Sequence, residues 1–128
     1  MIYDSLITNN RIWTNLINSV DSGHLPHALL FHGNAGSGKE AHAIELAALI
    51  NCESPSESGA CGDCSSCKKI KSFQHGNIKL ILPYPRGKIS SSEDPSIRGL
   101  TENNINQLRE MMMEKGRNPY ARIEIENA

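Results

Sequence analysis

All four cysteines of the chain fall within sixteen residues, at Cys52, Cys61, Cys64 and Cys67, in a stretch that is polar and poor in helical or strand periodicity. They spell C-x8-C-x2-C-x2-C. Two overlapping C-x2-C steps let backbone amides turn around one metal ion while the distant Cys52 completes a tetrahedron. The result is a closed site of four thiolates, the donor set of a structural zinc. Free buried thiols and disulfides are the alternatives, and in a cytosolic chain this spacing favours metal over oxidation. Lys68, Lys69 and Lys71 follow directly. They read as a solvated basic face, or as charges that offset the thiolates or meet a phosphate backbone.

A second constellation lies upstream. Residues 33–40 read GNAGSGKE, in which Gly33, Gly36 and Gly38 permit the backbone turns of a phosphate-cradling nest and Lys39 would reach terminal phosphates. The position after the lysine ordinarily carries a Ser or Thr hydroxyl for magnesium, and here it is Glu40. A carboxylate there brings negative charge towards phosphates and is longer than the hydroxyl it replaces. No later segment supplies an apolar strand ending in Asp or Asp-Glu, and RIEIENA at the end of the chain alternates instead. Weak nucleotide binding and a glycine loop kept for packing both remain open on these residues, and the chemistry of ATP and magnesium is not expected.

The organisation around these motifs predicts alternating helix and strand. RIWTNLINSVDSGHL places Ile12, Leu16, Ile17 and Val20 at helical spacing, with Gly23 as a stop. HALLFHG, residues 27–33, has the length and apolar content of a strand buried on both faces. KEAHAIELAALIN continues as a helix free of interior Gly and Pro, KKIKSF as a short helix, and NIKLILP as a second strand. Residues 84–99 are rich in Pro, Ser and Gly and read as a mobile loop. Thr101 is placed to cap a last helix whose face is Ile105, Leu108 and Met112 and which Gly116 ends, and Arg122 to Glu126 can extend. The histidines, among them His27 and His32, read as core or surface residues, since none stands at ligand spacing from a cysteine or carboxylate. A length of 128 residues with 38% hydrophobic content suits one modest domain or part of a larger one, and a formal charge of -1 gives no global field for nucleic acid. With no long apolar run and no signal-peptide pattern, the expected location is the cytoplasm, without membrane contact.

An amphipathic helix, then GHLPHALLFHGNAGSGK, then a helix ending in Asn51-Cys52, then the four-cysteine insert, resembles the N-terminal domain of bacterial clamp-loader subunits of DNA polymerase III. The resemblance spans nearly the whole chain and departs from the family at residues 75–77, where HGN replaces an expected His-Pro-Asp. It implies an α/β fold of the P-loop NTPase (AAA+) type: a partial parallel sheet with the zinc module inserted at 52–67, the chain being an incomplete N-terminal portion. Gamma and tau subunits carry Ser or Thr after the loop lysine, and delta-prime subunits often have a degenerate loop. Glu40, with the Ser-rich insertion and Asn118-Pro119-Tyr120, therefore points to the delta-prime type. That type implies no catalysis, the gamma/tau and delta subunits as partners, and contact with the sliding clamp and primed DNA through the assembly. Strand 28–31 would be central and strand 78–82 at an edge with later strands missing between them, so self-association of the chain is expected. An ATP-hydrolysing gamma/tau-type subunit and a stand-alone zinc interaction module are the competing readings.

Overall fold

The computed structural model describes residues 1–82 and 102–123. Four helices appear among them: α1 Asn10–Asp21, α2 Lys39–Asn51, α3 Ser65–Lys71 and α4 Glu102–Arg117. α1 begins where the Asn9 side chain accepts a hydrogen bond from the Ile12 amide at 3.3 Å. It ends in a Schellman turn. The His24 amide donates to Ser19 and the Gly23 amide to Val20, with Gly23 at φ +70°, a conformation that favours glycine. Trp13 and Ile17 form the buried stripe of α1, while Ile12, expected on that stripe, is 55% exposed.

α2 buries apolar side chains on two sides because it lies between two clusters. Ala41 and Ala48 pack with Ile2, Tyr3, Leu6 and, from the cysteine segment and α3, Ala60, Cys67 and Ile70. On the other side Leu46 and Leu49 meet Trp13 and Ile17. The first six residues, not assigned to any element from sequence, thus supply three core side chains. Glu45 secures them: its Oε1 accepts from the Tyr3 amide at 2.6 Å, its Oε2 has no partner, and the residue is fully buried. Burial drives its carboxyl above the usual carboxylate range, against the lowering effect of the Tyr3 and Ile2 amides.

The expected α/β architecture with a partial parallel sheet is not what the described residues form. They contain four helices and one isolated antiparallel bridge, Ser56 with Gly59, and no strand. Residues 28–31 and 78–82 make no ladder hydrogen bonds with described residues, and neither is buried on both faces: Leu30 is 85% exposed and Ile81 91%. A short apolar run specifies a strand only when a neighbouring strand receives its N–H and C=O groups. Phe31 and Ile78 instead drop singly onto the two helical clusters. The loop expected over 84–99, the Thr101 cap and the rest of the terminal extension beyond Ile123 lie outside the described residues.

α4 differs from expectation at its C-terminal end. Its expected face is loosely covered, Ile105 being 41% exposed, and burial concentrates at Lys115 and Gly116. Gly116 does not end the helix, which runs to Arg117. A Cβ there would stand 2.6 Å from the Lys71 carbonyl oxygen, so glycine lets α4 approach the end of α3. No described helix is long and apolar enough to cross a membrane.

Two outcomes test this packing. Gly116→Ala should destabilise the fold by about 2 kcal/mol in denaturant titration, because the backbone clash outweighs alanine's better helix propensity. Had Gly116 been an ordinary interior helix glycine, the same change would stabilise. Glu45→Gln keeps the acceptor for Tyr3 and removes the titration. Since the folded-state pKa of Glu45 is raised, the stability it confers is complete below its ordinary value of 4.5 and is lost as pH rises through the raised value. Denaturation of both proteins across that range should therefore show the wild type falling relative to Glu45→Gln as pH increases.

Candidate functional site

The cysteine segment is organised by its own amides. The Cys61 amide donates to Cys52 Sγ at 3.3 Å, the Cys64 amide to Cys61 Sγ at 3.3 Å, and the Cys67 amide to Cys64 Sγ at 3.4 Å. The last of these also caps α3, with Cys64 as the N-cap residue. All four sulfur atoms lie within 4.8 Å of one another, and Cys61 and Cys67 are 4.0 Å apart, far beyond a disulfide bond. A tetrahedral zinc with bonds of about 2.3 Å separates its sulfurs by about 3.8 Å, so the donor set fits that ion with small adjustment. Hydrogen bonds from Ser54 and from the Cys64 and Asp63 amides push the Cys61 thiol down to about 6. The Cys64 thiol is lowered by the Glu53 and Cys67 amides, while burial raises that of Cys67. A metal cation is what would hold all four as thiolates at once.

The segment is docked rather than dangling. Trp13 Nε1 donates to the Ser58 carbonyl at 3.0 Å, the Met1 amine donates to the Ala60 carbonyl, and Gly62, at φ +85°, sits where a Cβ would be 2.7 Å from the Met1 carbonyl oxygen. Sequence spacing singled out the four cysteines that the structure brings together. It offered no signal for these anchors, which join residues 45 and 59 positions apart.

The glycine loop leads into α2 as expected, with Gly36 at φ +80° and Gly38, the N-cap residue of α2, at φ +76°. Lys39 does not extend into open space: its Nζ donates to the Gly33 and Asn34 carbonyls, each at 3.0 Å, folding back onto its own loop. Glu40 turns to α4, where its Oε2 is 3.2 Å from the buried Lys115 Nζ. The same ammonium donates to the Pro119 carbonyl at 2.7 Å and the Ala121 carbonyl at 2.9 Å. A cleft of about 250 Å³ remains in front of the loop, lined by Gly36, Gly38, Lys39 and Glu40 on one side and by Lys115 and Tyr120 on the other. Tyr120 and Leu6 pack against Gly38 so closely that a Cβ would lie 3.2 and 3.1 Å from their ring and methyl carbons. The Tyr120 hydroxyl accepts from the Ile7 amide at 2.9 Å. Lys115 and Tyr120 thus belong to the site; nothing in the sequence marked Lys115, and Tyr120 was singled out only within Asn118-Pro119-Tyr120 as part of the family resemblance. His27 and His32, for which the sequence left core and surface places open, are exposed.

The chain is 39% identical to the DNA polymerase III subunit delta' of Bacillus subtilis over 57% of its own length and 22% of that protein. It is 29% identical to the DNA polymerase III subunit tau of Escherichia coli over 72% of the chain and 14% of that protein. Protein STICHEL-like 1 of Arabidopsis thaliana matches at 31% over 73% of the chain and 8% of the plant protein. The chain thus spans less than a quarter of the length of each of these relatives. No solved structure gives a significant match. The model of the family described as DNA polymerase III, delta subunit, matches residues 8–125, and the chain belongs to that family of clamp-loader-type subunits.

Proposed function

We propose that this chain is part of a delta-prime-type clamp-loader subunit that keeps the glycine loop without turning over ATP. The observation that carries the reading is the Glu40–Lys115 pair. The residue standing where a magnesium hydroxyl would be is committed to a lysine 75 positions away, and Lys39 is committed to the carbonyls of its own loop. Both polar side chains at the end of the loop already have internal partners. The role is structural: other subunits, gamma/tau and delta, are its partners, and it meets the sliding clamp and primed DNA through the assembly. The similarity to a tau subunit supports a second reading, an ATP-hydrolysing subunit, and Glu40 is the residue that separates the two.

Within that role Cys52, Cys61, Cys64 and Cys67 would hold a structural zinc. Bound there, the ion supplies a cross-link that fixes the segment from 52 to 67 against α2, α3 and Trp13. It leaves no open position for catalysis.

The ATPase reading is settled by mixing the purified chain with magnesium and ATP. Phosphate release should not exceed that of buffer, and a rate abolished by Lys39→Ala would overturn the proposal. Elemental analysis of freshly purified, reduced protein should find about one zinc per chain. Cys64→Ser should lower that content and loosen residues 52–67 in amide exchange far more than the glycine loop. Acidification should release the metal, because protons compete for the thiolates. Protein free of metal before any treatment would refute the site.

A further inference from the structure

Two helix faces that are far apart in sequence line one groove. On α3, Lys68 and Lys71 are three residues apart. On α4, Arg109, Met112, Met113 and Arg117 recur at the spacing that places residues on a single helical face. The two faces enclose a groove of about 590 Å³, beside the close contact of Gly116 with the Lys71 carbonyl. All four cations are exposed, none forms an ion pair with a described carboxylate, and no carboxylate lines the groove. Met113 is 55% exposed. The lysines of the last turn of α3 and Arg117 in the last turn of α4 also oppose the negative ends of their helices, but Arg109 stands two turns earlier and has no such role.

We infer that this groove between α3 and α4 is a docking surface for an acidic amphipathic helix of a partner protein. Its apolar side chains would lie on Met112 and Met113, and its carboxylates would pair with Lys68, Lys71, Arg109 and Arg117. Charge complementarity selects an acidic occupant, since four unopposed cations in one groove repel a basic one and gain no charge pairing from a neutral one. The methionines select a protein over nucleic acid. Flexible thioethers adapt to apolar side chains, whereas no aromatic ring lines the groove to stack bases, and phosphates gain nothing from an apolar floor. The surface is separate from the glycine loop, so it stands whether or not the chain turns over ATP.

The test uses the full chain and three fluorescent probes. The first is a helical peptide of about 14 residues with Glu along one face and Leu along the other. The second is the same peptide with Lys for Glu, and the third is a short single-stranded and duplex DNA pair. Anisotropy should show saturable binding of the Glu/Leu peptide, weakened by salt, and none of the Lys/Leu peptide. Lys71→Glu/Arg109→Glu should reduce affinity about tenfold or more. Met113→Asp should do likewise at unchanged helix content by circular dichroism. Replacing Leu by Ser in the peptide should abolish binding. DNA binding lost in the same charge-reversal variant, without peptide binding, would overturn the protein-partner assignment in favour of nucleic acid. Peptide binding insensitive to Met113→Asp and to Leu→Ser, or no binding of any probe, would overturn the groove itself.

Discussion

A buried ammonium must satisfy three N–H donors, and Lys115 does so with one charge and two carbonyls: Glu40, Pro119 and Ala121. The rest of the arrangement depends on that solution. Lys115 is 1% exposed, so leaving any of its protons unpaired would be costly, and its three acceptors fix two separate pieces of chain. Glu40 ties in the start of α2, Pro119 and Ala121 fold the chain back after α4, and the Lys115 carbonyl accepts from the Tyr3 hydroxyl at 2.9 Å. That hydroxyl is buried beside Glu45, and both effects hold it above the ordinary tyrosine value, keeping it a donor. The N-terminal segment and the stretch that follows α4 are thus closed over the glycine loop by polar contacts whose loss would strand buried groups.

The same logic links loop and cysteine segment through α2. One face of that helix meets Tyr3 and Leu6, which lie under the loop; further along, the same cluster contains Ala60 and Cys67. Its other face meets Trp13, whose indole holds Ser58. A metal that tightens residues 52–67 would therefore stiffen the cradle around Trp13 and Met1, and through the shared core the N-terminal segment that packs on Gly38. Coupling of this kind needs only a continuous packed core.

What was legible in the sequence was local. The four cysteines, the helix after the glycine loop and the Gly23 stop all depend on spacings within a few turns of chain, and all appear where the residues placed them. The family was legible for the same reason, since its signature is a contiguous order of motifs. The sheet was not, because Ala28 to Phe31 and Ile78 to Leu82 carry the composition of strands but cannot specify one without neighbours among the described residues. Nor was Glu40 paired with Lys115, nor Gly116 against Lys71. A salt bridge spanning 75 residues and a glycine that serves helix approach leave no periodic trace. Trp13 was readable in principle, since it stands four residues before Ile17, yet an indole's N–H makes it an equally good surface residue until its partner, Ser58, is known.

The glycine loop also shows why such a motif is weak testimony about nucleotides. Gly38 sits at a backbone angle that favours glycine, with Leu6 and Tyr120 pressed where a side chain would begin, so packing alone is reason enough for a glycine. Gly36 has the same backbone demand with open space around it. Lys39 satisfies the carbonyls of the loop from within and so stabilises its shape with no ligand present. Each of these residues has a sufficient cause in the fold itself. The informative position is the one that a phosphate-binding reading cannot explain, Glu40, whose carboxylate is unsuited to phosphate and well suited to a buried lysine. A loop of this shape therefore reports on function mainly through the residue that departs from its pattern.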